Sequence, residues 1–348
     1  MTPSRTDESD DLRQHTAMML RSHGLIMEDD LEPLTGGGNN RVYLARGSGG
    51  PWLIKHYFRD PADVRDRLAT EWAFTQFAWN HHIVLPPRPN AMNERAGLAA
   101  FEYIAGRKLE AGEVRDGHVA AAADFVAALA ECRGDADARA LPEASEACFS
   151  LADHCVCVDR RVARLTALPA EDETDARAQR WVQQALLPAW HATRRDLETA
   201  ARCLPSWADP LSREQRVLSP SDFGFHNAIL QPNGRLRFID FEYAGWDDPA
   251  KLVCDFFCQP AVPVPRRQWS TFAQTIAALT PEPMSALQRM ELLLPVYRIK
   301  WCCIMLNVFL PPGARRRRFA GTPQELEAMK GTQLRKAMRM IAASSLAA

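Results

Sequence analysis

Two carboxylates and one amide lie at the ends of a short predicted hairpin in the second half of the chain. Strand-like segments at residues 228–230 and 236–239 flank an Asn-Gly turn, which is typical of a β-hairpin. Asp222 and Asn227 precede the first segment, and Asp240 follows the second. The hairpin therefore brings all three side chains to one end. A carboxylate that orients a hydroxyl, beside oxygens that bind magnesium, suits phosphoryl transfer. A plain hairpin with polar ends is the alternative.

A glycine-rich loop and an unusual lysine lie upstream of this hairpin. Glycines 36–38 fall between two strand-like segments, where backbone N–H groups can approach phosphates closely. The chain has 36 arginines but only 6 lysines, and Lys55 lies within an apolar strand-like segment. A lysine in an Arg-rich chain indicates a need for a compact ammonium group. Glu71 follows in a predicted helix over residues 61–80; an exposed glutamate and a solvent-reaching lysine are the alternative.

The hairpin residues resemble a known enzyme family. D-x-x-x-x-N at residues 222–227, followed by I-D-F-E at residues 239–242, is similar to the catalytic and metal-binding loops of the aminoglycoside phosphotransferase and choline kinase superfamily, relatives of the protein kinases. The resemblance implies that Asp222 is the catalytic base and that Asn227 and Asp240 bind Mg²⁺. Glu242 matches an acidic residue that many members keep, and it is a candidate substrate contact.

The same resemblance implies a nucleotide site in the first third of the chain. In kinase-like sites a strand lysine pairs with the ATP phosphates and with a helix glutamate, here Lys55 and Glu71. Residues 99–106 resemble the hinge, where backbone groups would bond adenine. The residues predicted to bind ATP are Gly36, Gly37, Gly38, Lys55, Glu71, Glu102 and Ile104.

The order of predicted elements indicates an α+β, protein-kinase-like fold with two lobes. A small antiparallel β-sheet is expected from strands at residues 31–34, 42–45, 51–57, 83–92 and 97–104. Predicted helices at residues 119–132, 147–168, 176–203 and 285–310, the last interrupted by Pro295, form a mainly helical second lobe. The expected division is a tail and short helix at 1–30 (residues 1–10 disordered), a nucleotide-binding lobe at 31–104, and a helical lobe at 105–348 with the catalytic hairpin at 217–255.

One departure from the family pattern supports a rival interpretation. Members usually have His-Gly before the catalytic Asp, whereas this chain has Pro220-Ser221. The rival is a non-catalytic pseudokinase that binds nucleotide or acts as a scaffold. A protein kinase is disfavoured, because Pro249 follows Asp240 by only nine positions, which is too short for a regulated activation loop. We therefore predict a small-molecule kinase that moves the γ-phosphate of ATP to a hydroxyl.

Composition limits the location and the partners of the protein. Its 348 residues are 47% apolar and 24% charged, as in ordinary globular proteins, and the net charge of −1 indicates neither nucleic acid nor membrane as a partner. The polar start and the lack of an apolar run near 20 residues predict a cytoplasmic protein without a membrane span. Nine scattered cysteines predict free thiols.

The sequence leaves the phosphate acceptor open among a sugar, an amino alcohol and an aminoglycoside-like molecule. Acidic residues near the hairpin, Glu242, Asp247 and Asp248, favour a cationic acceptor. Four consecutive arginines at residues 315–318 favour an anionic one, although a solvated turn is the simpler interpretation. Oligomeric state is equally open.

Overall fold

The computed structural model describes residues 5–34, 40–59, 65–169, 171–201, 207–311, 313 and 323–345. The glycine loop at residues 36–38 and the four arginines at residues 315–318 lie outside this part of the chain.

The first lobe is an antiparallel sheet between two helices. Its strands are β1 (Ile26–Met27), β2 (Glu32–Leu34), β3 (Arg41–Ser48), β4 (Gly50–His56), β5 (Pro89–Asn93) and β6 (Leu98–Glu102). The strand order is β1-β3-β4-β6-β5, and β2 also pairs with β3. The helices are α1 (Arg5–Ser22) and α2 (Arg67–Asn80).

Successive side chains of β4 point to opposite faces of the sheet, and each face packs against a different helix. Trp52 and Ile54 point to one face of the sheet, where they pack with Met19 and Leu20 of α1. Since successive side chains of a strand point to opposite faces, Lys55 lies on the other face, toward α2. The alternation therefore brings Lys55 to the helix that carries Glu71.

Three predicted boundaries in this lobe are wrong. The tail predicted to be disordered over residues 1–10 is helical from Arg5 onward. The strand predicted at 83–92 is only Pro89–Asn93, because Pro86 and Pro87 lack the N–H groups that a strand needs. The described part of the helix predicted from residue 61 begins at Arg67, where the Asp66 carboxylate accepts a hydrogen bond of 2.9 Å from the Ala69 N–H.

The second lobe is mainly helical. Its helices are α3 (Asp116–Glu131), α4 (Ala136–Ala140), α5 (Leu151–Leu165), α6 (Glu173–Trp181), α7 (Leu187–Ala201), α8 (Pro249–Cys258), α9 (Trp269–Ala277), α10 (Pro283–Leu306) and α11 (Pro323–Ser345). A π-helical turn at Val182–Leu186 joins α6 to α7, which divides the single helix predicted at 176–203. The eight cysteines in the described part of the chain are free thiols, as expected.

Helix α10 is the centre of this lobe and packs against α5, α7, α8, α9 and α11. It continues through Pro295, so the predicted interruption is wrong; packing on several sides compensates for the one hydrogen bond that proline removes. The segment Pro283–Phe309 is long and apolar enough to cross a membrane by length and composition, contrary to the expectation from sequence. Because 67% of its apolar window is buried inside the protein, a core helix accounts for it.

Two small sheets carry the predicted hairpin. Strands β7 (Arg107–Lys108), β9 (Ala228–Leu230) and β10 (Leu236–Phe238) form one sheet in the order β10-β9-β7. Strand β8 (Val217–Ser219) pairs with β11 (Gly245–Asp247) in the other. The predicted hairpin is thus present as β9 and β10, with Leu236 opposite Leu230.

Stacked phenylalanines hold the hairpin on the helices. The ring centroid of Phe238 on β10 lies 5.5 Å from that of Phe125 on α3 and 4.9 Å from that of Phe223. Phe256 on α8 lies 5.3 Å from Phe223 and 4.4 Å from Phe272 on α9. All five side chains are buried. Burial of large aromatic surfaces therefore fixes the hairpin against α3 and α8.

We expect Gly106→Ala to destabilise the junction between the lobes. A Cβ atom at Gly106 would lie 2.5 Å from the Leu230 carbonyl oxygen and 2.6 Å from Ile229 Cγ2, so β9 would have to move. A loss of about 1–3 kcal/mol in the free energy of unfolding should appear in urea denaturation. Gly117→Ala is the control, because a Cβ atom there meets nothing within 4 Å. Equal stability of the two variants would contradict the close approach.

Candidate active site

The side chain of Lys55 joins the two lobes at one point. Its Nζ donates to Glu71 Oε2 at 2.6 Å and to Asp240 Oδ1 at 2.7 Å. Glu71 belongs to α2, whereas Asp240 follows β10 of the hairpin. The Lys55 side chain is only 7% exposed. The sequence-predicted lysine, glutamate and aspartate therefore form one ion cluster, in which Lys55 and Glu71 are buried and Asp240 is partly exposed.

Hydrogen bonds complete this cluster on the Glu71 side. The Tyr57 hydroxyl donates to Glu71 Oε2 at 2.6 Å, and the Phe241 N–H donates to Glu71 Oε1 at 3.3 Å. Burial lowers the pKa of Lys55, but the charges of Asp240, Glu71 and Glu242 outweigh that effect and raise it. Lys55 is therefore a permanent cation at this position.

Asp222 lies at the same end of the hairpin and contacts two of its neighbours in sequence. His226 Nε2 is 3.3 Å from Asp222 Oδ1, and Asn227 Nδ2 donates to the Asp222 carbonyl oxygen at 3.0 Å. Burial raises the pKa of Asp222, but the charge and hydrogen bond of His226, together with Asn227, hold that pKa below its ordinary value. About a third of the Asp222 side chain, 35%, stays exposed. The site thus contains an ionised carboxylate that a bound molecule can reach.

The oxygens of Asn227 and Asp240 fit a magnesium ion. The Asn227 amide nitrogen donates to Asp222, which leaves Oδ1 as its free acceptor. Asp240 Oδ1 accepts from Lys55, and within the described chain Oδ2 accepts no hydrogen bond. The Ile239 N–H donates to the Asn227 carbonyl oxygen at 2.9 Å and holds the two residues together. One carboxylate and one amide oxygen are hard ligands of the kind that Mg²⁺ accepts.

The predicted hinge is tied to the hairpin through Glu102. Its carboxylate accepts from Arg237 on β10 at 2.7 and 3.1 Å and from the Arg88 N–H at 3.1 Å. Burial raises the pKa of Glu102, but the Arg237 hydrogen bonds outweigh it and the pKa is lowered. The buried Ile104 N–H has no backbone acceptor among the described residues.

Glu242 lies away from the position that its predicted role requires. Its side chain is fully buried; Oε2 accepts from Asn40 Nδ2 at 2.7 Å, and Oε1 lies 3.5 Å from Arg67 Nη1. Asn40 lies two residues after Gly38 and also accepts from the Phe58 N–H at 3.1 Å. Glu242 thus holds the side chain of Asn40, and its buried carboxylate is not placed to contact a substrate.

Three site residues were not found by sequence reasoning. Tyr57 and Arg237 make their contacts with residues far along the chain, so no local pattern marks them. His226 was visible, because it is one of the four residues between Asp222 and Asn227. A Cβ atom at Gly224 would lie 2.9 Å from His226 Nδ1, so the glycine makes room for the imidazole.

A sheet lobe, a helical lobe and a lysine-centred ion cluster between them define a kinase-like protein. The chain belongs to the phosphotransferase enzyme family, whose model matches residues 30–289. This family and fold define a small-molecule kinase, and the predicted two-lobed α+β fold is confirmed. No curated protein sequence matches the chain.

Solved structures of other phosphotransferases share the fold at low sequence identity. Choline kinase LicA from Streptococcus pneumoniae superposes with a TM-score of 0.58 at 14% identity, covering 97% of this chain and 99% of its own. A spectinomycin phosphotransferase in complex with ADP and spectinomycin gives 0.59 at 12% identity, covering 94% and 98%. A macrolide 2'-phosphotransferase from Brachybacterium faecium gives 0.54 at 18% identity, covering 89% and 98%.

We expect Lys55→Met to cost about 3–5 kcal/mol in the free energy of unfolding, because it leaves the buried Glu71 carboxylate without its cation. Adding Glu71→Gln should recover part of that loss, since one of the unpaired charges is then removed. Arg46→Met is the control, because the Arg46–Glu32 pair is half exposed and such pairs contribute little. Denaturant unfolding of the four proteins tests this, and equal effects of Lys55→Met and Arg46→Met would contradict it.

Proposed function

We propose that the protein transfers the γ-phosphate of ATP to a hydroxyl of a small molecule in a magnesium-dependent reaction. The observation that carries this proposal is the contact of Lys55 with both Glu71 and Asp240. It joins the sheet lobe to the hairpin that bears Asp222. A cytoplasmic location stays a prediction.

In this proposal the nucleotide lies between the lobes. Lys55 would bind the phosphates as a point charge, and Glu71 with Tyr57 holds that lysine in place. The glycine-rich segment at residues 36–38 would cover the phosphates. The hinge backbone near Glu102 and Ile104 would bond adenine. The ADP in the spectinomycin phosphotransferase supports a nucleotide site in a protein of this fold.

Asp222 would hold the acceptor hydroxyl. Its lowered pKa keeps it ionised near neutral pH, so that it can accept a hydrogen bond from the hydroxyl and take the proton. The acceptor oxygen forms a bond to the γ-phosphorus while the bond from that phosphorus to the leaving oxygen of ADP breaks. His226 and Asn227 fix the carboxylate, and such positioning supplies much of the rate.

Asn227 and Asp240 would hold the magnesium ion through one oxygen each. The ion would neutralise charge on the phosphates when it is bound. Asp240 would then share its carboxylate between the ion and Lys55, which keeps the hairpin in contact with the sheet lobe.

We expect Asp222→Asn to lower kcat by about 10²- to 10⁴-fold while ATP still binds, because the proton acceptor is lost. The measurement is ADP formation with pooled alcohols, accompanied by calorimetric binding of Mg·ATP. Asp196→Asn, an exposed change on α7, is the control and should keep full activity. Undiminished turnover would remove Asp222 from the role of base. Tight nucleotide binding without turnover in any pool would favour the non-catalytic alternative.

We expect Asn227→Ala to weaken metal binding by about 10- to 100-fold, because an oxygen ligand disappears. Mn²⁺ can serve as the probe, with its free concentration measured by electron paramagnetic resonance in the presence of ADP. Asn233→Ala in the exposed hairpin turn is the matched control. Unchanged Mn²⁺ affinity in Asn227→Ala would remove this residue from the metal site.

A further inference from the structure

A cavity of about 690 Å³ opens beside Asp222 and extends into the helical lobe. Ser221 and His226 line it near Asp222, and the rest is lined by residues of α5, α8, α10 and α11 and by the loops next to them. This volume is within the range of small-molecule sites. Since Asp222 is the proposed acceptor of the hydroxyl proton, the phosphate acceptor would occupy this cavity, and the inference rests on that proposed function.

Positive charge predominates among the described residues that line the cavity. The cationic residues are Arg65, Arg161, Arg164, Lys251, Lys300 and Lys336. The acidic ones are Glu146, Asp222 and Asp255. Internal pairs account for part of this set: Lys300 Nζ lies 3.0 Å from Asp255 Oδ2, and Lys251 contacts the buried Asp247. Asp222 is the proposed contact of the acceptor hydroxyl. The net charge of the other residues that line the cavity is positive.

Two cations in the cavity have no partner within the described chain. Arg164 on α5 and Lys336 on α11 make no ion pair or hydrogen bond with any described residue. They come from separate helices that both border the cavity. Two unpaired cations at one cavity attract an anion, because each can give it a charge-assisted hydrogen bond.

Arg161 adds an unsatisfied donor to the same wall. Its Nε and Nη2 donate to Glu146, and only 11% of the side chain is exposed. Its Nη1 is buried and has no hydrogen-bond partner among the described residues. A buried donor without an acceptor is unfavourable, and it adds positive potential to this side of the cavity.

The acidic residues that could have attracted a cation are occupied elsewhere. Glu242 bonds Asn40, Asp247 contacts Lys251, and Asp248 contacts Arg289. None of the three acidic side chains has exposed surface. In the sequence these three residues favoured a cationic acceptor. Because their side chains are buried and paired, they do not attract a cation into the cavity.

We propose that the phosphate acceptor is an anionic alcohol, whose carboxylate or phosphate is bound by Arg161, Arg164 and Lys336 while its hydroxyl contacts Asp222. The apolar side chains of Ile304 and Met329 line the cavity as well and would contact the carbon skeleton.

The test uses four alcohols with one carbon skeleton and different charges: glycerol, glycerate, glycerol 1-phosphate and 3-amino-1,2-propanediol. Their affinity for the full chain is measured by calorimetry without nucleotide and at constant ionic strength, so that no turnover is needed. We expect at least one anionic probe to bind about tenfold more tightly than the aminodiol. Preference for glycerate or for glycerol 1-phosphate then identifies the anionic group.

Paired substitutions on the same two helices locate the effect. Arg164→Gln with Lys336→Gln should weaken binding of the preferred anionic probe by about tenfold or more. Arg160→Gln with Arg339→Gln removes the same charge from exposed positions of α5 and α11 outside the cavity lining, and it should change little. No preference for the anionic probes, including no binding by any of them, would overturn the proposal, as would equal effects of the two pairs.

A failure of the proposed function gives a different result. If the protein is not a kinase, no alcohol supports ADP formation, whereas the charge preference is still measured by binding. If the cations serve the nucleotide instead, Arg164→Gln with Lys336→Gln raises the KM for ATP and leaves the affinity for the anionic probe unchanged. That outcome would also overturn the anionic acceptor.

Discussion

The buried ammonium group of Lys55 is the interaction on which the site depends. It is one cation between two carboxylates, and one of these belongs to α2 while the other belongs to the hairpin. Because leaving the buried Glu71 carboxylate without its cation is unfavourable by several kcal/mol, this contact favours the arrangement of the sheet, α2 and the hairpin that brings the three groups together. The relative position of the two lobes and the geometry of the active site are therefore determined by the same contact.

The hairpin is fixed from two further sides. Its inner face packs through Phe238 onto the ring of Phe125 on α3, and its outer strand reaches the hinge through Arg237 and Glu102. Packing provides most of the stability, whereas the ion pairs select the orientation. A change in the packing or in the ion pairs would move Asp222 relative to the cavity beside it.

Sequence reasoning identified the residues that act locally and missed those that depend on tertiary contacts. Asp222 and Asn227 were found because a short loop separates them, and Lys55 with Glu71 because strand and helix patterns surround them. The prediction of a strand over 83–92 was wrong at Pro86, because the apolar residues there suggest a strand but proline has no N–H for strand pairing. The sequence could not show that Arg164 and Lys336 border the same cavity, since their helices are distant in the chain. Glu242 was misplaced because a motif gives the order of residues but not the direction of a side chain.

Ser221 has a backbone φ of +48°, and Asp222 next to it has +42°. The family pattern that the sequence resembles has glycine at the position of Ser221, and glycine adopts a positive φ without the strain that serine incurs. The Ser221 N–H donates to Ser219 Oγ at 3.1 Å, and this bond opposes the strain. Replacing a glycine also reduces the freedom of the unfolded chain, which offsets part of the same cost. The turn at the proposed base is thus left-handed at two successive non-glycine residues, which is where backbone strain is stored in this loop.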